Sequence, residues 1–168
     1  MSTEDLAESI IALHRCLGAA GIPHAFGGAL AAAVYGAPRD TSDIDVNVFV
    51  GTERWSGVCN ALGVNPHDDP GRPDQDGSLK IDWEGNKVHL FFSTDPLHEE
   101  MEGKAHTVTY ADATIPLVSP EHLLTRKRLL GRPKDERDIE RILEATAVDL
   151  AEVEEWVARH GGEQVRAD

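Results

Sequence analysis

Residues 43–50 alternate with a strict period of two: Ile44, Val46, Val48 and Val50 are apolar, while Asp43, Asp45, Asn47 and Phe49 fall between them. That pattern specifies a strand buried on one face, and it sends the side chains of Asp43 and Asp45 out together on the other. Two carboxylates held side by side repel each other unless something positive stands between them, and a divalent cation is the economical answer. The spacing points to a magnesium site. Taken alone, an Asp-x-Asp of this kind is also what a solvated strand edge looks like.

The elements around this strand set the fold class. Leu6, Ile10, Leu13 and Leu17 recur at helical spacing, with Gly21 where a C-cap belongs. A short strand is expected over 22–26, then Gly27-Gly28 and an alanine-rich helix over 29–35, stopped by Gly36 and Pro38. A further helix fits 53–62. Strand character returns at 79–84 and 87–93 around Gly85-Asn86, a two-residue hairpin signal, and again at 106–110 and 114–118. Ser119-Pro120 reads as a helix start, and the remainder is helical with breaks near 131–133 and 147. The proline-, glycine- and acid-rich stretch 65–78 is expected to be a mobile loop. Helices at both ends of a sheet that contains hairpins imply a mixed α/β (α+β) layer fold. With 168 residues, 40% of them apolar, the chain is expected to form one domain, its core at about 21–118 and a helical part at 119–168.

Gly27-Gly28 supplies the second half of the chemistry. Placed after a strand and opening a helix, bare backbone N–H groups can approach phosphate oxygens. Magnesium keeps much of its ligand sphere as water and substrate phosphate, so two protein carboxylates suffice. Together the features describe a nucleoside triphosphate site. The runs Phe26-Gly27-Gly28-Ala29-Leu30 and Tyr35-Gly36-Ala37-Pro38-Arg39-Asp40-Thr41-Ser42-Asp43-Ile44-Asp45-Val46 resemble the signature of the DNA polymerase β-type nucleotidyltransferase superfamily. Within it the chain looks most like small bacterial members that include the AbiEii-type toxins. Residues 123–143, with Arg126-Lys127, Gly131-Arg132-Pro133-Lys134-Asp135 and Asp138-Ile139-Glu140, are similar to a helical motif of those proteins. The resemblance runs from about residue 21 to 143. It implies a nucleotidyltransferase-like fold and transfer of a nucleoside monophosphate from a triphosphate to an acceptor, with Asp43 and Asp45 as ligands of Mg2+ and Gly27 and Gly28 as the phosphate turn. Arg39 and Thr41, in the same motif, are candidates to contact phosphate or orient Asp43.

One position departs from the superfamily pattern. A third carboxylate is expected from a later strand, and the corresponding run Lys87-Val88-His89-Leu90 holds His89. With Gly85-Asn86 as the turn, Asp82 is expected opposite His89, so the pair Asp82 and His89 is a candidate replacement for the missing acid. The bland alternative is a polar cross-strand pair without chemistry.

The charge balance narrows the partners. Sixteen Lys plus Arg against thirty Asp plus Glu gives −14, which excludes a generally basic, nucleic-acid-coating protein. Residues 126–141 nonetheless carry seven basic against four acidic side chains, and Lys127 is the candidate cation for the terminal phosphates. Most of that stretch also fits an ordinary solvated helix face. His122 is expected toward solvent; Trp83 and Trp156 are expected in the core, and Trp55 near the pocket. Cys16 and Cys59 read as reduced thiols, no apolar stretch approaches the ~20 residues of a membrane span, and a cytoplasmic protein is expected. The acceptor is left open among an RNA end such as tRNA, a protein hydroxyl and a small molecule, and a toxin role would bring an antitoxin protein as partner. The alternative function is a catalytically impaired module of the same fold that binds a nucleotide or a partner; a scaffold or antitoxin-like protein is a third.

Overall fold

The computed structural model describes residues 3–38, 43–65 and 71–162. Helix α1 (Thr3–Ala19) buries Ile10, Leu13 and Leu17. It ends as the spacing predicts, with Gly21 at φ +70° and the Ile22 N–H returning to the Leu17 carbonyl. Strand β1 (His24–Phe26), helix α2 (Gly28–Tyr35) and strand β2 (Asp43–Gly51) follow. A 3₁₀ turn leads into α3 (Trp55–Ala61), then β3 (Ser78–Trp83) and β4 (Asn86–Ser93) form a hairpin. Helix α4 (Pro96–Met101), absent from the sequence expectation, precedes β5 (His106–Tyr110) and β6 (Ala113–Leu117). Three helices close the described chain: α5 (Pro120–Leu130), α6 (Pro133–Ala145) and α7 (Leu150–His160).

The strands form one mixed sheet in the order β3-β4-β2-β1-β6-β5. Strand β2 runs antiparallel to β1 and parallel to β4, which is antiparallel to β3. The expected mixed architecture is therefore the observed one. One face of the central strands carries Ile44, Val46 and Val48 of β2, Val88, Leu90 and Phe92 of β4, and Leu79, Ile81 and Trp83 of β3, all buried in one core with α1 and α3. Trp83 donates from its indole N–H to the Leu62 carbonyl at 2.8 Å, tying the hairpin to the end of α3. Trp156 is also buried, in a small second cluster with Leu97 and Met101.

On the other face, exposure falls along each strand. In β2 Asp43 is exposed, Asp45 half-buried, Asn47 and Phe49 buried; in β4 the series Lys87, His89, Phe91 behaves the same way. Helix α4 explains the buried end. The His98 imidazole is fully buried between Asn47 Oδ1 and Ser93 Oγ, 3.0 Å from each, against the Phe49 ring. The other end of this face is left open, and it is the end that carries the acids.

The hairpin register corrects the sequence expectation. The turn is Glu84-Gly85, both at positive φ (48° and 81°), one residue earlier than Gly85-Asn86. Trp83 then faces Asn86, Asp82 faces Lys87 and Lys80 faces His89. Asp82 does not oppose His89. The shift moves every pairing by two residues, so the buried set stays on its face. Asn86 is drawn into the strand because its amide donates to Ser9 Oγ of α1 at 2.7 Å and to the Glu84 carbonyl at 3.1 Å. Among the described residues no helix is long and apolar enough to cross a membrane.

Candidate active site

The N-terminal end of β2 is where the sequence-predicted residues converge. Gly27 donates its backbone N–H to the Asp45 carbonyl at 3.0 Å, and Gly28 begins α2 at φ +56°. A Cβ built on Gly28 would stand 1.9 Å from Asp45 Oδ2 and 2.7 Å from its carboxyl carbon. Glycine is required here twice, by the left-handed backbone and by the carboxylate lying directly against its Cα. The bare turn that opens α2 and the acid of β2 are therefore one surface.

Parallel pairing of β2 with β4 sets Asp43 beside Lys87 and Asp45 beside His89. Extended through the hairpin, two rows cross the sheet face: Asp43, Lys87, Asp82 in one, and Asp45, His89, Lys80 in the next. His89 Nδ1 lies 3.8 Å from Asp45 Oδ1, with the two side chains 26% and 22% exposed. The His89 ring also rests on Phe91, centroids 4.1 Å apart, which limits its rotation. Lys87 pairs with Asp82 at 2.6 Å. Asp43, Lys80, Ile81, Asp82 and Lys87 line an open cleft of about 350 Å³.

The site thus gathers Gly27, Gly28, Asp43, Asp45 and His89, with Asp82 on the same face two strands from Asp43. Arg39 and Thr41 lie outside the described residues. Lys127 occupies a different setting: it is 8% exposed, donates to Asp138 Oδ2 at 2.8 Å and stands 3.7 Å from Asp135. The surrounding basic stretch is similarly engaged, with Arg126 on Asp95, Arg128 on Glu154 and Arg132 on Asp135. Burial would raise the Asp135 carboxyl, but hydrogen bonds from the Arg132 guanidinium and backbone and the charge of Lys127 outweigh it and hold the acid below its ordinary range. Lys127 thus joins α5 to α6, while Arg126 ties α5 to the start of α4 and Arg128 ties it to α7. His122, expected toward solvent, is buried and accepts from Arg126 Nε at 3.1 Å, because α5 packs against α2, α6 and α7.

Asp43 and Asp45 suit a magnesium ion that takes its remaining ligands from a substrate. Among the described residues no three His, Cys, Asp or Glu side chains come together as a metal site, so the donor set is two carboxylates with an imidazole beside them. That set, next to a turn open enough for phosphate, fits a hard cation shared with a triphosphate. Lys80 and Lys87 escaped the sequence reading. The signal for them was present, since they share strand parity with Asp82 and His89.

No family model matches the chain, and no curated protein matches it. Solved structures do. A Thermotoga maritima protein proposed to be a nucleotidyltransferase superposes with a TM-score of 0.61 at 16% identity, covering 87% of this chain and 97% of that one. The antibiotic-resistance factor ANT(2'')-Ia in solution gives 0.60 at 16% identity over 95% and 92% of the two chains. A lincosamide antibiotic adenylyltransferase bound to lincomycin gives 0.51 at 16% identity over 86% and 98%. The chain has a nucleotidyltransferase-like fold.

Proposed function

We propose that the protein is a nucleotidyltransferase that moves a nucleoside monophosphate from a triphosphate to a hydroxyl of a small acceptor. The observation that carries this reading is the contact between Gly28 and Asp45, which makes the phosphate turn and the acid pair a single surface. Asp43 and Asp45 would hold Mg2+, which when bound neutralises triphosphate charge and polarises the reacting phosphoryl group. The N–H groups opening α2 face the phosphates and stabilise charge that grows on the leaving pyrophosphate. The acceptor oxygen forms a bond to the α-phosphorus, the bond from that phosphorus to the bridging oxygen breaks, and pyrophosphate leaves with the electron pair.

His89 takes the place of a third carboxylate and receives the acceptor's proton. Its Nδ1 lies 3.8 Å from Asp45 Oδ1, beyond hydrogen-bond reach, so what supports this role is the placement of the imidazole beside the acid pair. A small acceptor is favoured over the RNA and protein acceptors that the sequence leaves open. ANT(2'')-Ia, solved with adenylyl-2''-tobramycin, matches over 91% of this chain and 95% of its own at a TM-score of 0.59. The net charge of −14 also weighs against RNA, whose affinity depends on phosphate contacts. A toxin role rests on the sequence resemblance alone.

Incubating the full chain with each labelled nucleoside triphosphate, Mg2+ and a small-molecule extract tests the proposal. Label moves to an acceptor in the native protein, Asp45→Asn abolishes it, and His89→Ala lowers the rate by roughly 10²–10⁴. Transfer undiminished in Asp45→Asn overturns the reading. A second reading, a module that binds nucleotide without transferring it, is favoured by the imidazole at the acid position; it predicts Mg2+-dependent triphosphate binding and no labelled product.

A further inference from the structure

Resting on that transferase reading, we propose that the cleft beside Asp43 is the acceptor pocket and that it selects an alcohol bearing an oxyanion, held by Lys80 and Lys87. In-line displacement at phosphorus puts the entering oxygen opposite the departing pyrophosphate. The phosphate turn lies on the β1 side of Asp45, so the acceptor approaches from the β4 and β3 side. Reading across the face from Gly28, the order is Asp45, then His89, then Lys80. A base thus stands between the acid that faces the phosphates and a cation on the outer strand.

The cleft of about 350 Å³ opens at this point, lined by two lysines, two aspartates and Ile81. Adjacent strands are spaced about 4.8 Å apart, so Lys80 is roughly 10 Å from Asp45 at the backbone, a span that a three- or four-carbon acceptor bridges. Lys80 is exposed and enters no ion pair among the described residues. Lys87 is paired with Asp82, but their side chains are 68% and 58% exposed, and an arriving anion displaces so open a pair readily. With Asp43 assigned to Mg2+ and Asp82 paired with Lys87, Lys80 is the cation left uncompensated in the cleft, and it favours a phosphate- or carboxylate-bearing alcohol over a cationic one.

Amide chemical shifts of the full-length chain, titrated with glycerol 3-phosphate, glycerate, glycerol and ethanolamine, test this directly. The two anions are expected to shift the amides of residues 80–82 and 87, with glycerol and ethanolamine inert; the stronger of the two identifies phosphate or carboxylate as the preferred group. Lys80→Gln weakens the anion's affinity roughly tenfold, as loss of one charged hydrogen bond implies, while Lys104→Gln, on a distant 3₁₀ turn, leaves it unchanged. Binding of ethanolamine as tight as that of the anions, or indifference to Lys80→Gln, overturns the proposal. So does displacement of glycerol 3-phosphate by MgATP, which would make the lysines part of the triphosphate site. Each nucleoside triphosphate is titrated separately with Mg2+ and followed at Gly27 and Gly28: no response to any of them sinks the transferase reading while leaving the anion cleft in place.

Discussion

A methyl group at Gly28 meets two separate objections, and they can be told apart. Its φ of +56° disfavours any side chain by about 1 kcal/mol, and the new carbon would lie 1.9 Å from Asp45 Oδ2. Gly63 meets only the first, at φ +76° with nothing within 4 Å. Gly63→Ala therefore lowers unfolding stability by about 1 kcal/mol and leaves MgATP affinity alone. Gly28→Ala forces Asp45 to move and loses MgATP binding beyond any stability change. Urea denaturation and calorimetric titration of both variants check this; equal losses of affinity would show that the contact has no role. The acids were legible because strand periodicity alone orients Asp43 and Asp45. The lysine facing His89 was not, because register depends on which dipeptide turns. Glu84 adopts φ +48° although Gly85-Asn86 is the better local turn, and the deciding bond, Asn86 to Ser9, spans 77 residues.

Helices α4 and α5 are fixed to β2 by a buried polar chain that no local pattern announces. Asn47, two residues beyond Asp45, meets His98; the His98 backbone N–H is capped by Asp95 at 2.7 Å; and Asp95 takes the Arg126 guanidinium at 3.2 and 3.3 Å. Arg126 is 1% exposed, and Asp95 is a carboxylate that balances its buried charge. Removing one member of a buried pair typically costs 3–5 kcal/mol, about 1 kcal/mol more where a helix cap goes with it. Asp95→Ala should lower unfolding stability by about 4 kcal/mol, and Asp95→Ala with Arg126→Met should recover part of that loss because no orphaned cation remains. A double-mutant cycle in urea measures the difference; equal stability of the single and double variants would mean that Arg126 finds other partners. The sequence held half of the evidence, since Asp95-Pro96 is a helix start of the same kind as Ser119-Pro120. The six residues of α4 offer too little periodicity to complete it.

Acidification acts on the whole molecule in two opposing ways. Lowering the pH reduces the −14 net charge and relieves self-repulsion. It also attacks the contact between α1 and the sheet, where His14 Nδ1 lies 2.8 Å from His24 Nε2 and His24 Nδ1 donates to the Ile22 carbonyl at 2.8 Å. With that donation fixing the tautomer, His24 Nε2 is the acceptor and His14 the donor. Burial lowers both imidazoles below their ordinary value, with Arg15 adding to the effect on His14 and the neighbouring His14 on His24. A histidine whose folded pKa lies below its unfolded value of about 6.5 favours the fold above that pH and loses its contribution as the pH falls through the folded value. Protonating His24 also sets a donor against a donor. The urea midpoint should therefore fall between about pH 7 and pH 5, before ordinary carboxylates begin to protonate near pH 4. His14→Gln removes one of the two titrating groups while keeping an N–H to offer His24, so its midpoint should fall less over the same range. The comparison cancels the change in overall charge, which both proteins share apart from that one imidazole. If the two curves run parallel from pH 7 to pH 5, the histidine contact does not hold α1 to the sheet.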